Sequence, residues 1–156
     1  MIIMEGNVLD TPFQLIAHQV NCQGVMGAGL ARQIRNKYPK LYKDYKEYCD
    51  RGVNLGDCLC NFTSDGHYIL NIFAQYDYGR DKKYTNYEAM YRAFKIGIQE
   101  FRFDACEART IAQLTIAIPY GIGCGLAGGD WNEVKSVLEL IEKECNVVFI
   151  AYTLGG

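Results

Sequence analysis

The amino-acid sequence predicts a single-domain α/β protein in which a mixed, mostly parallel sheet carries helices on both faces. Short apolar segments of strand length alternate with longer segments whose apolar residues recur at helical spacing. Continuous apolar strands are typical of a parallel sheet that is buried on both sides. Two of these strands run into glycine-rich loops, at residues 21–29 and 121–129, and each loop is followed by a helical pattern.

Each predicted element follows from a local pattern. The predicted strands are residues 1–4, 15–20, 56–63, 68–74, 111–118 and 147–152. The predicted helices are residues 27–37, 39–51, 85–103 and 130–145. Pro39 closes one helix and begins the next, and the turn at residues 64–66 indicates a hairpin. The helices that begin near Thr85 and Asp130 each open on a capping-box pattern.

Composition limits the classes of partner. The chain has 156 residues, of which 49% are hydrophobic and 22% charged, which is sufficient for one buried core. A formal net charge of −2 gives no general attraction to nucleic acid or to an acidic membrane, so we expect neither as a partner. The seven cysteines lie in apolar segments, and because the sequence has no long apolar span we expect neither a signal peptide nor a membrane segment. We expect a cytoplasmic protein with reduced thiols, no metal site and no cofactor.

The two glycine-rich loops predict an anion site. Glycine permits positive φ values and close approach, while a helix N-terminus adds free N–H groups and the positive end of its dipole. Ligands of parallel α/β sheets bind beyond the carboxyl ends of the strands. Because both loops leave such ends, we expect them to face one crevice.

A nicotinamide-dependent oxidoreductase is a competing hypothesis. Residues 123–128 match the dinucleotide fingerprint G-x-G-x-x-G literally. That fingerprint belongs directly after a strand, whereas residues 119–122 intervene here, and the expected acidic residue falls within a helix. The P-loop motif is absent from the sequence. Two separate glycine loops suit a ligand with two phosphates and a sugar better.

The loops also resemble a known family. Residues 18–31 are similar to the first ligand loop of macro domains, and residues 118–126 are similar to the second. Residues 6–8 and 152–154 fit the same pattern, so the resemblance covers essentially residues 1–156. It implies the three-layer α/β/α macro-domain fold. The branch that it most resembles is the ADP-ribose-1″-phosphate phosphatases, which are related to the terminal ADP-ribose protein glycohydrolases.

The resemblance implies a ligand and a set of contacts. The ligand is ADP-ribose or ADP-ribose-1″-phosphate, with ADP-ribosylated protein as a further partner. The implied ligand-binding residues are Asn7, Val8, Asn21, Gly27, Ala28, Gly29, Gln75, Tyr120, Gly121, Ile122, Gly123, Cys124, Gly125 and Leu126. Asn7 stands where many macro domains carry an aspartate that binds the adenine amino group. Gln75 and Ala127 stand where the glycohydrolases carry a lysine and an aspartate, which argues against lysine-adduct chemistry.

Candidate catalytic groups are few. His18 is a candidate for orienting water or protonating a leaving oxygen, with a hydrogen-bonded core histidine as the alternative. Asp130 is a candidate acid or base at the cleft rim, with a helix N-cap as the alternative. Arg80, Lys82 and Lys83 are candidates for contacting the 1″-phosphate, with a solvated loop as the alternative. The sequence thus leaves two functions open, a phosphatase and a non-catalytic ADP-ribose-binding module.

Overall fold

The computed structural model describes residues 1–79, 83–105 and 112–154. The strands are β1 (Ile2–Glu5), β2 (Leu15–Asn21), β3 (Cys58–Phe62), β4 (Tyr68–Gln75), β5 (Leu114–Pro119) and β6 (Val147–Thr153). The helices are α1 (Gly29–Lys37), α2 (Pro39–Asp50), α3 (Tyr87–Ala105) and α4 (Trp131–Cys145), with a 3₁₀ turn at Val8–Asp10.

All six strands form one sheet in the order β1-β6-β5-β2-β4-β3. Every pairing is parallel except that of β3 with β4, which is the predicted hairpin. The predicted mixed, mostly parallel sheet is therefore confirmed. Among the described residues, no helix is both long and apolar enough to cross a membrane.

Successive residues of β2 point into two different hydrophobic clusters. Leu15 and Ala17 belong to the cluster that α3 and α4 cover, which includes Met90 and Leu138. Ile16 and Val20 belong to the cluster that α1 and α2 cover, which includes the fully buried residues Ile34 and Tyr45. Because both faces of the sheet are covered, the three-layer α/β/α architecture is confirmed.

The start of α3 differs from the prediction. The helix begins at Tyr87, and the Asn86 side chain caps it by accepting a hydrogen bond from the N–H of Ala89 at 2.9 Å. Thr85 therefore does not cap the helix, because its hydroxyl donates to the carbonyl of Gly123 at 2.6 Å. This contact ties the segment before α3 to the second glycine loop.

Candidate ligand-binding cleft

A cleft of about 610 Å³ opens beyond the carboxyl ends of β2, β4 and β5. This volume lies within the range of small-molecule sites, roughly 300–1,000 Å³. The lining residues are His18, Gln19, Val20, Asn21, Val25, Gly27, Ala28, Gly29, Leu30, Ala31, Gln75, Tyr78, Gly79, Pro119, Gly121, Ile122, Gly123, Gly125, Leu126 and Ala127. The two glycine loops therefore meet over one cleft, as the sequence predicts.

Asn21 organises the first loop. Its side-chain oxygen accepts hydrogen bonds from the N–H groups of Gln23 (3.0 Å) and Val25 (3.3 Å), and its amide nitrogen donates to the carbonyl of Val25 (2.7 Å). The buried Tyr45 hydroxyl on α2 lies 2.7 Å from the Asn21 carbonyl and 2.9 Å from the Asn21 side-chain oxygen. Asn21 thus lines the cleft while its side chain holds the loop closed.

The first loop ends at a helix N-terminus that has no side-chain cap. Ala28 occupies the N-cap position of α1 and provides no side-chain hydrogen bond. Gly29 adopts the left-handed φ of +56°, where a Cβ would meet nothing within 4 Å. Since the first N–H groups of a helix have no partner within the helix, those of α1 are available to a ligand.

The second loop is a series of tight turns that follow β5. The N–H of Ile122 donates to the carbonyl of Pro119 (3.1 Å), and that of Cys124 donates to the carbonyl of Gly121 (2.8 Å). Gly121 and Gly123 have φ values of +75° and +76°, which other residues rarely adopt. Ile122 is 3% exposed and anchors the loop in the core.

The turns leave a row of free N–H groups in the cleft wall. Within the part of the chain that the structure describes, the N–H groups of Gly121, Gly123, Gly125 and Leu126 have no protein acceptor. All four residues line the cleft. Successive N–H groups in such a concavity form a binding site for anions.

The described lining carries no carboxylate, lysine or arginine. An anion in this cleft is therefore attracted by backbone dipoles and by the N-terminus of α1 rather than by a neighbouring cation. Lys83 is exposed outside the lining, whereas Arg80 and Lys82 lie outside the described residues. No group of three potential metal ligands occurs among the described residues.

Gln19 and Thr85 support the second loop from beneath. The Gln19 amide nitrogen donates to Gln75 Oε1 and to Thr85 Oγ1, both at 2.9 Å, and Thr85 in turn donates to Gly123. Gln19 Oε1 is buried and has no hydrogen-bond partner among the described residues, and it lies 2.7 Å from the position that a Cβ on Gly123 would take. Neither residue was predicted to support this loop: Thr85 was predicted to cap a helix, and the only signal for Gln19 was a polar side chain within a mostly apolar strand.

His18 occupies the position of a hydrogen-bonded core histidine. It is 2% exposed, and its Nε2 lies 2.7 Å from Asn71 Oδ1. The Asn71 amide nitrogen donates to Leu59 O and Asn61 Oδ1, so Asn71 Oδ1 is the acceptor and His18 Nε2 carries the proton. Burial lowers the pKa of His18 to about 4, and the hydrogen bond that His18 donates to Asn71 only partly opposes this effect. His18 is therefore a neutral imidazole at physiological pH.

Asp130 caps α4 and is not among the residues that line the cleft. Its side chain accepts a hydrogen bond from the N–H of Asn132 at 2.8 Å, and its own N–H donates to the Tyr87 hydroxyl at 2.9 Å. The structure therefore confirms the N-cap alternative. A catalytic role for Asp130 stays a prediction.

Four other predicted ligand residues also lie outside the lining. Asn7 accepts a hydrogen bond from the N–H of Leu9 at 2.9 Å, and Val8 is buried. The half-exposed Tyr120 ring packs on Trp131 with 4.7 Å between centroids. The Cys124 thiol lies 3.5 Å from the Ile122 carbonyl, and burial raises its pKa, which argues against a nucleophilic role.

Gln75 and Ala127, which the resemblance places where the glycohydrolases carry a lysine and an aspartate, both line the cleft. The Gln75 amide nitrogen donates to the Asp77 carbonyl at 2.9 Å. The Ala127 carbonyl accepts hydrogen bonds from the N–H groups of Tyr84 (2.7 Å) and Thr85 (3.2 Å). Both positions in the cleft are therefore occupied by uncharged residues, not by a lysine and an aspartate.

Fold and site together define a three-layer α/β/α protein whose cleft, at the carboxyl edge of the sheet, is lined by main-chain amides. The chain belongs to the macro domain family, since the macro domain model matches residues 17–138.

The relatives include enzymes of two kinds. An ADP-ribose 1″-phosphate phosphatase of Candida albicans is 39% identical over 157 residues, which cover 90% of this chain and 87% of that protein. A DNA ADP-ribosyl glycohydrolase of Thermus aquaticus is 27% identical over 140 residues, which cover 87% of this chain and 36% of that protein. This chain thus spans about a third of the length of that glycohydrolase. The solved macrodomain of Thermus aquaticus DarG is 26% identical, with 96% of each chain covered and a TM-score of 0.74.

Proposed function

We propose that this protein binds ADP-ribose in the cleft and hydrolyses ADP-ribose-1″-phosphate to ADP-ribose and phosphate. The observation that carries the proposal is the row of free N–H groups at Gly121, Gly123, Gly125 and Leu126. A diphosphate offers several acceptor oxygens to such a row. The name of the Candida albicans relative, which matches most of this chain, supports the same ligand.

The two loops divide the ligand between them. The second loop binds the diphosphate through its N–H groups. The first loop, with the uncapped N-terminus of α1, binds the distal ribose and the 1″-phosphate that this ribose carries. Both contacts are made by backbone groups of the protein, which do not titrate in the physiological range.

Hydrolysis requires a water molecule to attack phosphorus while the bond from phosphorus to the 1″ oxygen breaks. The attacking water loses a proton, and the departing 1″ oxygen gains one. N–H groups aimed at the phosphoryl oxygens stabilise the charge that develops in the transition state. Without a charged residue in the described lining, catalysis rests on positioning and on these dipoles. His18 is our candidate for moving one of these protons, with Nδ1 as its basic atom because Nε2 is hydrogen-bonded to Asn71.

The alternative function is a binding module that holds free or protein-linked ADP-ribose without turnover. The absence of a charged acid or base from the described lining favours it. De-ADP-ribosylation through a lysine adduct is less favoured, because Gln75 and Ala127 replace the lysine and the aspartate. A cytoplasmic location fits either function, since the six described cysteines are free thiols.

Calorimetry with ADP-ribose, followed by a phosphate-release assay with ADP-ribose-1″-phosphate, tests the proposal. Binding with phosphate release supports the phosphatase, and binding without release at saturating ligand leaves the binding module. Absence of binding refutes both functions.

A graded substitution of Gly125 tests the location of the site. A Cβ at Gly125 meets nothing within 4 Å, and its φ lies outside the left-handed region, so the fold should tolerate Gly125→Ala and Gly125→Val. We expect affinity for ADP-ribose to fall stepwise, by at least tenfold for valine. Ala112→Val, exposed before β5 at the opposite edge of the sheet, is the control that should bind as the wild type does. Unchanged affinity in both Gly125 variants would place the ligand elsewhere.

A further inference from the structure

Charge is distributed unevenly along this chain. Seven of the sixteen basic residues but only three of the eighteen acidic residues lie between positions 29 and 51. This segment, which contains α1, α2 and the C-cap residue Arg51, therefore carries a net charge of +4, and the rest of the chain carries −6. The overall charge of −2 is thus an average over two regions of opposite sign.

The positive charges are exposed on the outer side of the two helices. We call Arg32, Arg35, Lys40, Lys43 and Lys46 the α1–α2 basic surface; all five side chains are exposed. None of them forms an ion pair within the described residues, whereas Lys37 pairs with Asp65 at 3.7 Å. The exposed acidic residues of the segment are Glu47 and Asp50.

Helical geometry directs this surface away from the core. Ile34 on α1, and Leu41 and Tyr45 on α2, are the buried residues that face the sheet. At 100° per residue, Lys43 projects opposite Leu41 and Tyr45. Lys40, Lys43 and Lys46 follow one another every three residues, which spaces them by about 4.5 Å along the helix axis.

The α1–α2 basic surface begins at the rim of the cleft. Arg32 directly follows Leu30 and Ala31, which line the cleft. The Arg35 guanidinium lies 4.1 Å from the centroid of the Tyr42 ring, and the Tyr42 hydroxyl donates to the Gly24 carbonyl in the first loop at 3.3 Å. The aliphatic stem of Lys46 lies 3.7 Å from the position of a Cβ on Gly24.

We propose that the α1–α2 basic surface binds the phosphate backbone of a nucleic acid. A row of unpaired cations at short spacing suits a polyanion with closely spaced charges, since each strand of duplex DNA carries one charge per roughly 3.4 Å. At physiological salt the Debye length is about 8 Å, so a strand on this surface responds mainly to its five cations and to the exposed Glu47 and Asp50 beside them, and little to acidic residues elsewhere. The overall net charge of −2 therefore does not exclude a nucleic acid from this surface.

A membrane surface suits these helices less well. Helices that lie in the lipid interface insert large apolar residues from the face that meets the membrane. None of the exposed large hydrophobic residues of the described chain lies between positions 29 and 51. The outer face of α1 and α2 is polar and charged, which favours contact with a backbone of phosphates in water.

Fluorescence anisotropy with a labelled 20-base-pair DNA duplex that lacks terminal phosphates tests this proposal. Titrations between 50 and 200 mM salt should give an affinity that falls linearly with salt on logarithmic axes. Lys43→Gln/Lys46→Gln should weaken binding at 50 mM salt and reduce the slope by about 1.8, since each phosphate contact contributes about 0.9. Saturating ADP-ribose should leave duplex binding unchanged, because the surface lies outside the cleft.

Lys135→Gln/Lys143→Gln is the matched control, because both lysines are exposed on α4, in the opposite layer, and the net charge changes equally. The control should bind the duplex as the wild type does, and the melting temperatures of both variants should show that they are folded. The proposal is overturned if the wild type shows no salt-dependent binding, or if both variants lose affinity equally. It is also overturned if ADP-ribose displaces the duplex, or if vesicles of anionic lipid bind the wild type while the duplex does not.

Discussion

Tyr45 on α2 offers a way to perturb the cleft without touching its lining. Its ring is fully buried and stacks on Phe73 with 5.9 Å between centroids, while its hydroxyl holds Asn21 at the base of the first loop. Tyr45→Phe keeps the ring and removes only the hydroxyl. We expect the variant to fold with a loosened first loop.

The magnitude follows from the contacts that are lost. A buried hydrogen bond contributes about 1 kcal/mol, and leaving an acceptor short of a donor costs about 1–3 kcal/mol. We expect Tyr45→Phe to lower the free energy of unfolding by about 1–2 kcal/mol. For a chain of this length that corresponds to a fall in Tm of about 2–8 °C. Affinity for ADP-ribose should also fall, by up to about tenfold, since binding must then order the loop.

Tyr48→Phe is the matched control. Tyr48 lies on the same helix and packs on the same Phe73 ring at 5.6 Å, but its hydroxyl forms no hydrogen bond with the described residues. Thermal unfolding and calorimetry on both variants should therefore show an effect for Tyr45→Phe alone. Equal effects, or no effect of either variant, would refute the role assigned to the Tyr45 hydroxyl.

Three further predictions concern single residues. The pKa of about 4 for His18 lies below that of a free histidine, near 6.5, so the unfolded chain binds the proton first as the pH falls. The free energy of unfolding of the wild type should therefore decrease as the pH is lowered from about 6.5 to 4. The decrease should be smaller in His18→Gln. Gly123→Ala should destabilise more than Gly121→Ala in thermal melts. Both positions have a positive φ, but only a Cβ at Gly123 meets Gln19, at 2.7 Å. An equal fall in melting temperature in the two variants would contradict the importance of this close contact. Asp130→Ala should cost about 1 kcal/mol by removing the cap of α4, while Asp130→Ser should restore stability. A loss of phosphate release in the stable serine variant would assign Asp130 a chemical role, and an unchanged rate would leave it a cap.

Much of the fold could be predicted because local patterns agreed with the final packing. Pro39 begins α2 as expected, and the hairpin of β3 and β4 forms around the predicted turn. The two glycine loops could be placed together because both leave the carboxyl ends of parallel strands. These predictions depend on short-range chemistry and on general rules of sheet topology.

Other features depend on contacts between distant segments. Thr85 has a capping sequence, but a carbonyl 38 residues away takes its hydroxyl and leaves the cap to Asn86. The environment of His18 is set by Asn71, which lies opposite it on β4. Gln19 reaches the second loop only because β2 and β5 are neighbours in the sheet. A single sequence contains no local signal for these pairings.

In the proposed function, main-chain amides of the second loop bind the diphosphate of ADP-ribose. An amide-detected NMR titration of ¹⁵N-labelled protein observes those groups directly. We predict that ADP-ribose shifts the amide signals of Gly121, Gly123, Gly125 and Leu126 and leaves Gly52 and Gly66, which do not line the cleft, unchanged. Adenosine, which has no phosphates, should not reproduce these shifts. Binding of the diphosphate by these amides would be contradicted if the four signals did not shift at saturating ADP-ribose. It would also be contradicted if adenosine shifted them equally.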